Sequence, residues 1–203
     1  MFSGAQLSLY PMCDDFVAVI LEAVDALEPY RPRFRIETDD VSTLIVGPPE
    51  EIFPAMRDLF ASAAGTGVHC VLSAAVSRGC PGEPDDEICT PSADFGTAAP
   101  LDERIAAARE AVAQAGMTGV EVAAQFSLYP LGGSHHMDEI YGCIDFLKSS
   151  GVFEKSKNFC TKLGGDAGPV FATLSEAFLR FGAPNGHVAL DLTVSANSPS
   201  KIG

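Results

Sequence analysis

The chain has 203 residues, enough for one large domain or two small ones, and its apolar fraction of 47% and charged fraction of 20% are those of ordinary globular proteins. Its 13 Lys and Arg residues stand against 27 Asp and Glu residues, which leaves a net charge of −14. So acidic a chain argues against the phosphate backbone of nucleic acids and against anionic lipid surfaces as partners.

The sequence has no run of about 18 apolar residues and no basic N-terminal region followed by an apolar stretch. We therefore expect a cytoplasmic protein. No two of its six cysteines form a C-x-x-C pair, which argues against a zinc ribbon and a thioredoxin motif. In a reducing compartment we expect all of them to be free thiols, with disulfides the less favoured alternative; they are Cys13, Cys70, Cys80, Cys89, Cys143 and Cys160.

The first part of the chain predicts six elements, in the order strand, helix, strand, strand, helix, strand. Alternating apolar and polar residues indicate strands, and apolar residues three or four apart indicate helices. Asp39-Asp40 is a plausible turn between the two central strands, and Gly65 ends the second helix. The predicted elements are strand 5–10, helix 16–27, strands 33–38 and 41–46, helix 48–65 and strand 68–77.

The second part of the chain repeats the first. Residues 5–11 read AQLSLYP and residues 124–130 read AQFSLYP, so the two segments differ at a single position. Self-similarity of this kind indicates a tandem duplication. The second copy predicts the same order of elements: strand 121–129, helix 136–149, strands 152–157 and 159–164, helix 168–181 and strand 187–195.

The element order β-α-β-β-α-β is that of a ferredoxin-like unit, a four-stranded antiparallel sheet with both helices on one face. The sequence therefore predicts an α+β protein made of two such units, with two separate sheets. The first repeat spans residues 1–82 and the second residues 120–203. Residues 83–119 form a linker, which contains an acidic loop and a connecting helix at 101–116.

Small polar residues alternate with aliphatic ones in the last strand of each repeat. The aliphatic side belongs under the helices, and the other side carries Ser, Thr and one His per repeat. Such short side chains are typical of a covered polar surface rather than a fully solvated one. An interface within the chain or between copies is the favoured interpretation, and a pocket lining is the less favoured one.

The repeated SLYP segments belong to a larger set of motifs: SLYPMxDDF at 8–16, RGCPG at 78–82, SLYPL with a following HMDEI, LxGDA at 163–167 and LxVSANSPS at 192–200. These motifs resemble those of the YkoF-type thiamine/hydroxymethylpyrimidine-binding proteins, and the resemblance covers nearly the whole chain. It implies tandem ferredoxin-like repeats, a homodimer and one thiamine-type site per repeat. It also implies a cytoplasmic accessory role beside a transporter for thiamine or its pyrimidine precursor.

The same resemblance implies the residues of the two sites. Thiamine joins an aminopyrimidine to a cationic thiazolium, so its pocket must offer a donor, an acceptor and an apolar or aromatic wall. We expect backbone of Leu9 and Leu128 to be free where Pro11 and Pro130 interrupt the strand ladder. The predicted ligand-binding residues are Leu9, Tyr10 and Thr43 at one site and Leu128, Tyr129 and Thr161 at the other. Lys162, where the first repeat has Leu44, predicts that the two pockets are not equivalent.

Other polar residues favour ordinary structural roles. His69 and His187 occupy matching positions and are interpreted as hydrogen-bonded sheet histidines, with a pocket role as the minority alternative. The adjacent His135 and His136 lack a third ligand at metal-binding spacing, so we expect no metal site.

The sequence contains no G-x-S-x-G, no phosphate loop and no Cys/His arrangement typical of nucleophilic catalysis. It therefore predicts a non-catalytic binding protein for thiamine or hydroxymethylpyrimidine, without a cofactor. Two alternatives stay open. One is an enzyme acting on a pyrimidine or other heterocycle, for which only His69, His187 and Asp191 are candidate acids or bases. The other is an interaction module that uses its polar sheet faces only to dimerise.

Overall fold

The computed structural model describes residues 3–79, 98–131, 136–182 and 186–200. Every predicted helix and strand is present, with ends displaced by a few residues. In the first repeat the elements are β1 (Ser3–Pro11), α1 (Phe16–Asp25), a single 3-10 turn (Glu28–Tyr30), β2 (Arg35–Thr38), β3 (Thr43–Val46), α2 (Pro49–Gly65) and β4 (Cys70–Arg78).

The connecting helix follows, and then the second repeat. The elements are α3 (Leu101–Ala113), β5 (Glu121–Leu131), α4 (His136–Lys148), β6 (Phe153–Ser156), β7 (Thr161–Asp166), α5 (Ala167–Arg180) and β8 (His187–Ala196). The predicted acidic loop at 83–87, Cys80, Cys89 and His135 lie outside the described residues, as does the side chain of His136.

The strand order confirms two ferredoxin-like units and corrects one expectation about them. The order is β2-β3-β1-β4 in the first repeat and β8-β5-β7-β6 in the second, which is the same arrangement in both. The two sheets are not separate, however, because β4 pairs antiparallel with β8 along their whole length, from Cys70 opposite Ala196 to Arg78 opposite Val188. This pairing, which we call the seam, satisfies two strand edges that would otherwise be open.

The helices cover one face of the eight-stranded sheet and form one core with it. Helices α2 and α5 contact each other across the repeat boundary. Phe53 lies 5.4 Å from Phe178, and Phe60 lies 6.3 Å from Phe171, measured between ring centroids. All four rings are buried. The repeats therefore share their apolar core as well as their sheet, so we expect them to unfold together.

Each end of the seam also ties the repeats together. Arg78, at the end of β4, is 1% exposed and donates to the carbonyl oxygens of Phe178 at 2.7 Å and Phe181 at 2.8 Å, at the C-terminus of α5. Burial lowers the pKa of Arg78 to about 10. Beyond the end of β8, Asn197 donates to the carbonyl oxygens of Ala64 at 2.8 Å and Val68 at 3.0 Å, near the C-terminus of α2.

The hairpin between β2 and β3 is longer than the sequence suggested. The strands end at Thr38 and begin again at Thr43, so residues 39–42 form a four-residue turn. One carboxylate oxygen of Asp39 accepts the backbone N–H groups of Val41 and Ser42, each at 2.8 Å. This side-chain-to-backbone turn replaces the last strand pairs that the alternation predicted.

Two further observations concern the described residues. Cys13, Cys70, Cys143 and Cys160 have free thiols, and burial raises the pKa of Cys70 to about 11. Among the helices that the structure describes, none combines the length and the apolar character that crossing a membrane would require.

Candidate ligand sites

The polar sides of β1, β4, β5 and β8 lie on the sheet face away from the helices, which we call the open face. Here Nε2 of His69 lies 3.2 Å from Oγ of Ser195, and Nε2 of His187 lies 2.9 Å from Oγ of Ser77. Each histidine therefore bridges the seam to the serine of the other repeat. The interpretation of both as hydrogen-bonded sheet histidines is confirmed.

The open face also has a shallow cavity of about 280 Å³ across the seam, whose lining includes Ser73, Gln125, Asp191 and Thr193. Its walls are small polar side chains and sheet backbone. Such a surface offers hydrogen bonds but little apolar wall for a ring system. It fits the interface interpretation of this face better than a binding site for an aromatic ligand.

Each repeat has a cavity on the helix side of its sheet, between the first strand, the first helix and the hairpin. The first cavity measures about 120 Å³, and its floor is apolar while its rim is the turn 39–42. The residues that line it are Leu7, Ser8, Leu9, Ile20, Val24, Thr38, Asp39, Asp40, Val41, Ser42, Thr43 and Leu59.

The second cavity occupies the corresponding place in the second repeat and is larger, about 290 Å³. Its rim is the turn 157–160 between β6 and β7. The residues that line it are Phe126, Ser127, Leu128, Tyr129, Ile140, Cys143, Ile144, Leu147, Ser156, Lys157, Asn158, Phe159, Cys160 and Thr161.

Matching hydrogen bonds hold the two hairpins over their cavities. Ser8 Oγ donates to the carbonyl oxygen of Val41 at 3.0 Å, and Ser127 Oγ donates to that of Phe159 at 2.6 Å. Both serines belong to the repeated SLYP segment. The two rims are therefore equivalent in backbone position, although their side chains differ.

The backbone of Leu9 is aimed into the first cavity. The ladder between β1 and β3 ends at the pair Leu7–Thr43. Beyond β1, the N–H of Met12 donates to the carbonyl oxygen of His69 on the β4 side. Because backbone groups alternate in direction along a strand, the N–H and C=O of Leu9 point to the other side, across the gap toward the hairpin.

Leu128 has the same position in the second repeat. The ladder between β5 and β7 ends at the pair Phe126–Thr161. The N–H of Ala167 donates to the carbonyl oxygen of Val120 on that side, so by alternation the backbone groups of Leu128 also face the β7 side. The expectation that Pro11 and Pro130 free this edge is corrected, because both prolines still lie in register with the neighbouring strand, opposite Cys70 and Val188. The edge is free because the ladders to β3 and β7 end before Leu9 and Leu128.

The predicted threonines line the cavities on the helix side of the sheet. Thr43 is 5% exposed, and its hydroxyl lies 3.0 Å from that of Thr38 across the hairpin. Thr161 lines the second cavity at the corresponding place. Their cross-strand partners Leu7 and Phe126 are buried beneath the helices, which sets the direction of both side chains.

The two predicted tyrosines occupy equivalent strand positions. Tyr10 lies opposite Val71 and follows Leu9, and Tyr129 lies opposite Ala189 and follows Leu128, so strand alternation directs both rings to the open face. They are 52% and 46% exposed, and only Tyr129 contributes to the lining of its cavity.

The difference between the two cavities does not come from Lys162, although the sequence predicted it as the source. Lys162 does not line the second cavity; its Nζ pairs with Glu154 at 2.6 Å, and strand alternation puts it on the open face beside Gln125. The cation at the second rim is Lys157, and the first rim carries Asp39 and Asp40 instead. An alignment of the two turns, DDVS against KNFC, contained this signal.

Both cavities offer groups that can bind a small molecule. They combine apolar side chains, free strand backbone and a hydroxyl, and none of the described residues that line them is a histidine. Among the residues that the structure describes, no three His, Cys, Asp or Glu side chains are grouped to hold a metal ion. Hydrogen bonds from the backbone N–H groups of Val41 and Ser42 lower the pKa of Asp39, which favours its ionised form.

Comparison with known proteins agrees with this architecture. A family model described as "YKOF-related Family" matches residues 2–83 and again residues 121–201. The chain is also 29% identical, over 201 residues, to a Bacillus subtilis (strain 168) protein named "Putative HMP/thiamine-binding protein YkoF". That alignment covers 98% of this chain and 92% of the relative. With both halves matched by the family model and the duplicated fold in place, the chain belongs to the YKOF-related family.

Proposed function

We propose that the protein binds thiamine or its hydroxymethylpyrimidine precursor without chemical conversion, with one molecule in the first cavity and one in the second. The observation that carries this proposal is the pair of free backbone edges at Leu9 and Leu128, each facing a cavity. The name of the Bacillus subtilis relative supports the ligand class.

A strand residue with free N–H and C=O groups complements an aminopyrimidine. The N–H donates to a ring nitrogen, and the C=O accepts from the exocyclic amino group beside it. Side chains Ile20 and Ile140 from the first helices, with Leu9 and Leu128 below, supply apolar walls for the ring. The hydroxyls of Thr43 and Thr161 remain as further polar partners.

Catalysis is the weaker alternative for these cavities. Its candidate acids and bases were His69, His187 and Asp191. The two histidines are engaged with serines across the seam, and Asp191 lines the cavity of the open face. None of the three lines the first or second cavity. A ligand held there would meet hydrogen-bond partners and walls rather than a proton-transfer pair.

The open face supports a second part of the proposal, a homodimer. Its small side chains, among them Ser73, Ala75 and Thr193, allow close approach of another flat sheet. We propose that a second copy of the chain covers this face. In the proposed role the dimer is cytoplasmic and delivers or buffers its ligand beside a membrane transporter, in uptake or salvage of the vitamin; it uses no cofactor.

Titration calorimetry tests the ligand assignment. The experiment titrates the purified protein with thiamine and, separately, with hydroxymethylpyrimidine, and analyses the starting protein by mass spectrometry for carried-over ligand. We expect two binding events per chain and recovery of unchanged ligand. No heat with either compound from ligand-free protein, or turnover of the ligand, would contradict the proposal.

A further inference from the structure

We propose that the two hairpins sort ligands by charge: Asp39 and Asp40 make the first cavity favour a cationic ligand, and Lys157 makes the second favour an anionic phosphate ester. The ligand class of this inference rests on the proposed function. What it adds is the difference in charge between two rims whose backbone positions are equivalent.

The charges are exchanged on the same backbone frame. The N–H of Asp39 donates to the carbonyl oxygen of Ser42 at 3.0 Å, and the N–H of Lys157 donates to that of Cys160 at 2.8 Å. Asp39 and Lys157 therefore occupy the same turn position. The next residues, Asp40 and Asn158, differ by one further negative charge.

Both charged groups are held at the rim rather than free in solution. Two backbone N–H groups bind Oδ1 of Asp39 at 2.8 Å, which orients its carboxylate. Lys157 lines the second cavity, and its Nζ donates to Oε1 of Gln125 at 2.9 Å on the open-face side of the rim, where the second cavity and the open-face cavity share Ser127 and Cys160. That partner is a neutral amide, so the bond positions the ammonium without cancelling its charge.

Lys162, a second lysine of this hairpin, does not compensate for the difference. Lys162 pairs with Glu154 on the open face, so this pair adds little net charge to either rim. The formal charge of the rim side chains is therefore −2 in the first repeat and +1 in the second. Cavity volume adds to the contrast, because the first is about 120 Å³ and the second about 290 Å³.

When the pyrimidine ring of a ligand binds the free backbone of Leu9 or Leu128, the substituent on the ring extends toward the rim of that cavity. In the first cavity a thiazolium cation emerging there meets two carboxylates. In the second a phosphate emerging there meets an ammonium, a point-charge donor that suits phosphate. At partly solvated distances of about 5–7 Å, each unit charge changes affinity about three- to tenfold in low salt, and less at high salt.

A site-resolved experiment is available because the chain contains no Trp. Val41→Trp and Phe159→Trp place single reporters at matched positions of the two turns, where the native side chains are 73% and 90% exposed. The probes are thiamine, as the cation, and hydroxymethylpyrimidine phosphate, as the anion. Fluorescence titration in 20 mM and 500 mM NaCl reports each site separately.

Charge exchange then tests the assignment. In the Val41→Trp background, Asp39→Asn with Asp40→Asn keeps an oxygen acceptor for the turn and removes both charges. In the Phe159→Trp background, Lys157→Asp with Asn158→Asp converts the second rim to the charge of the first. Arg109→Gln is the matched control, since it removes a charge from α3 without lining either cavity.

In the Asp39→Asn, Asp40→Asn variant we expect the ratio of thiamine affinity to phosphate-ester affinity at the first site to fall about tenfold or more. In the Lys157→Asp, Asn158→Asp variant the same ratio at the second site should rise by at least as much. Arg109→Gln should leave both ratios unchanged, and the differences should shrink in 500 mM NaCl. Clear binding at both reporters with ratios unmoved by the exchanges would overturn the sorting inference alone. No response of either reporter to either probe, if calorimetry of the unsubstituted chain is also silent, would instead overturn the proposed function.

Discussion

The two repeats share a backbone plan and differ in the side chains placed on it. Strand order, the serine that holds the hairpin and the free edge at the first strand are the same in both. The rims, by contrast, have opposite charge, and the cavities differ in volume by more than twofold. The comparison teaches that after this duplication the backbone frame around the two cavities stayed the same, while the charged side chains at their rims diverged.

The two ends of the seam also combine equivalent positions with different side chains. At each end of it, a residue following or ending the last strand of one repeat binds carbonyl groups at the C-terminus of the other repeat's second helix. In one repeat this residue is the buried Arg78, and in the other it is Asn197. A guanidinium neutralises the negative end of a helix, whereas an amide only satisfies its carbonyls.

The largest expected effect is therefore at Arg78. Arg78→Met removes the guanidinium that serves the carbonyls of Phe178 and Phe181 while keeping an unbranched apolar side chain. Each buried carbonyl left without a donor should cost about 1–3 kcal/mol, so we expect a loss of about 2–6 kcal/mol of unfolding free energy. Denaturant unfolding monitored by circular dichroism measures it. A loss below about 1 kcal/mol would show that the seam does not depend on this end.

Asn197→Gly is the matched change at the other end of the seam. Asn197 has a φ of +54°, so glycine keeps the backbone conformation without strain and removes only the amide. The expected loss is about 1 kcal/mol. An equal loss of unfolding free energy in Arg78→Met and Asn197→Gly would contradict the distinction between a charged and a neutral cap.

Removal of a cavity hydroxyl should act on one repeat at a time. Thr43→Val keeps the side-chain shape and leaves a polar partner unsatisfied, at a cost of about 1–3 kcal/mol, which is roughly a 5- to 150-fold loss of affinity in the first cavity. Thr161→Val is its counterpart in the second. Site-resolved titration with hydroxymethylpyrimidine should show each variant weakening only its own site, and equal weakening of both sites by one variant would mean that the cavities are coupled.

Acid should destabilise the whole protein through Glu139, whose place in α1 is taken by Val19. Burial alone would raise the pKa of Glu139, but hydrogen bonds from Arg104 and the Gly182 N–H lower it overall, aided by the charges of Arg104 and Arg78. This contribution to stability is thus present above the unfolded-state pKa of about 4.3 and is lost as pH falls through the lower folded-state value.

Unfolding free energies of the unsubstituted protein and of Glu139→Gln, measured between pH 7 and pH 3, test this contribution. The variant should be less stable at neutral pH. Its unfolding free energy should also fall less on acidification, so the two curves converge at low pH. Parallel curves over the whole range would show that the carboxylate of Glu139 does not link folding to protonation.

The smallest effects are expected at the hairpin serines. Ser8→Ala and Ser127→Ala each remove one exposed hydrogen bond to the opposite turn, at Val41 and Phe159 respectively. We expect an affinity loss of about two- to tenfold at the corresponding site, since a typical hydrogen bond contributes about 0.5–1.5 kcal/mol. Unchanged affinity at both sites would mean that the hairpins hold their positions without these bonds.

Local pattern predicted the elements and the duplication well, because SLYP, the capping regions and the apolar spacings act over a few residues. The seam was missed because its pairs join residues such as Cys70 and Ala196, whose partnership leaves no local signal. The same limit affected the sites. Thr43 and Thr161 could be named from the family resemblance, but the strand register that directs them under the helices, and Tyr10 away from them, depends on the assembled sheet.

The most direct test of the account is a crystal structure of the protein with hydroxymethylpyrimidine at saturating concentration. We predict one molecule in each of the two cavities, with the aminopyrimidine edge hydrogen-bonded to the backbone of Leu9 in the first and of Leu128 in the second. Ligand density on the open face near Ser73 and Thr193, with both cavities empty, would contradict the central claim.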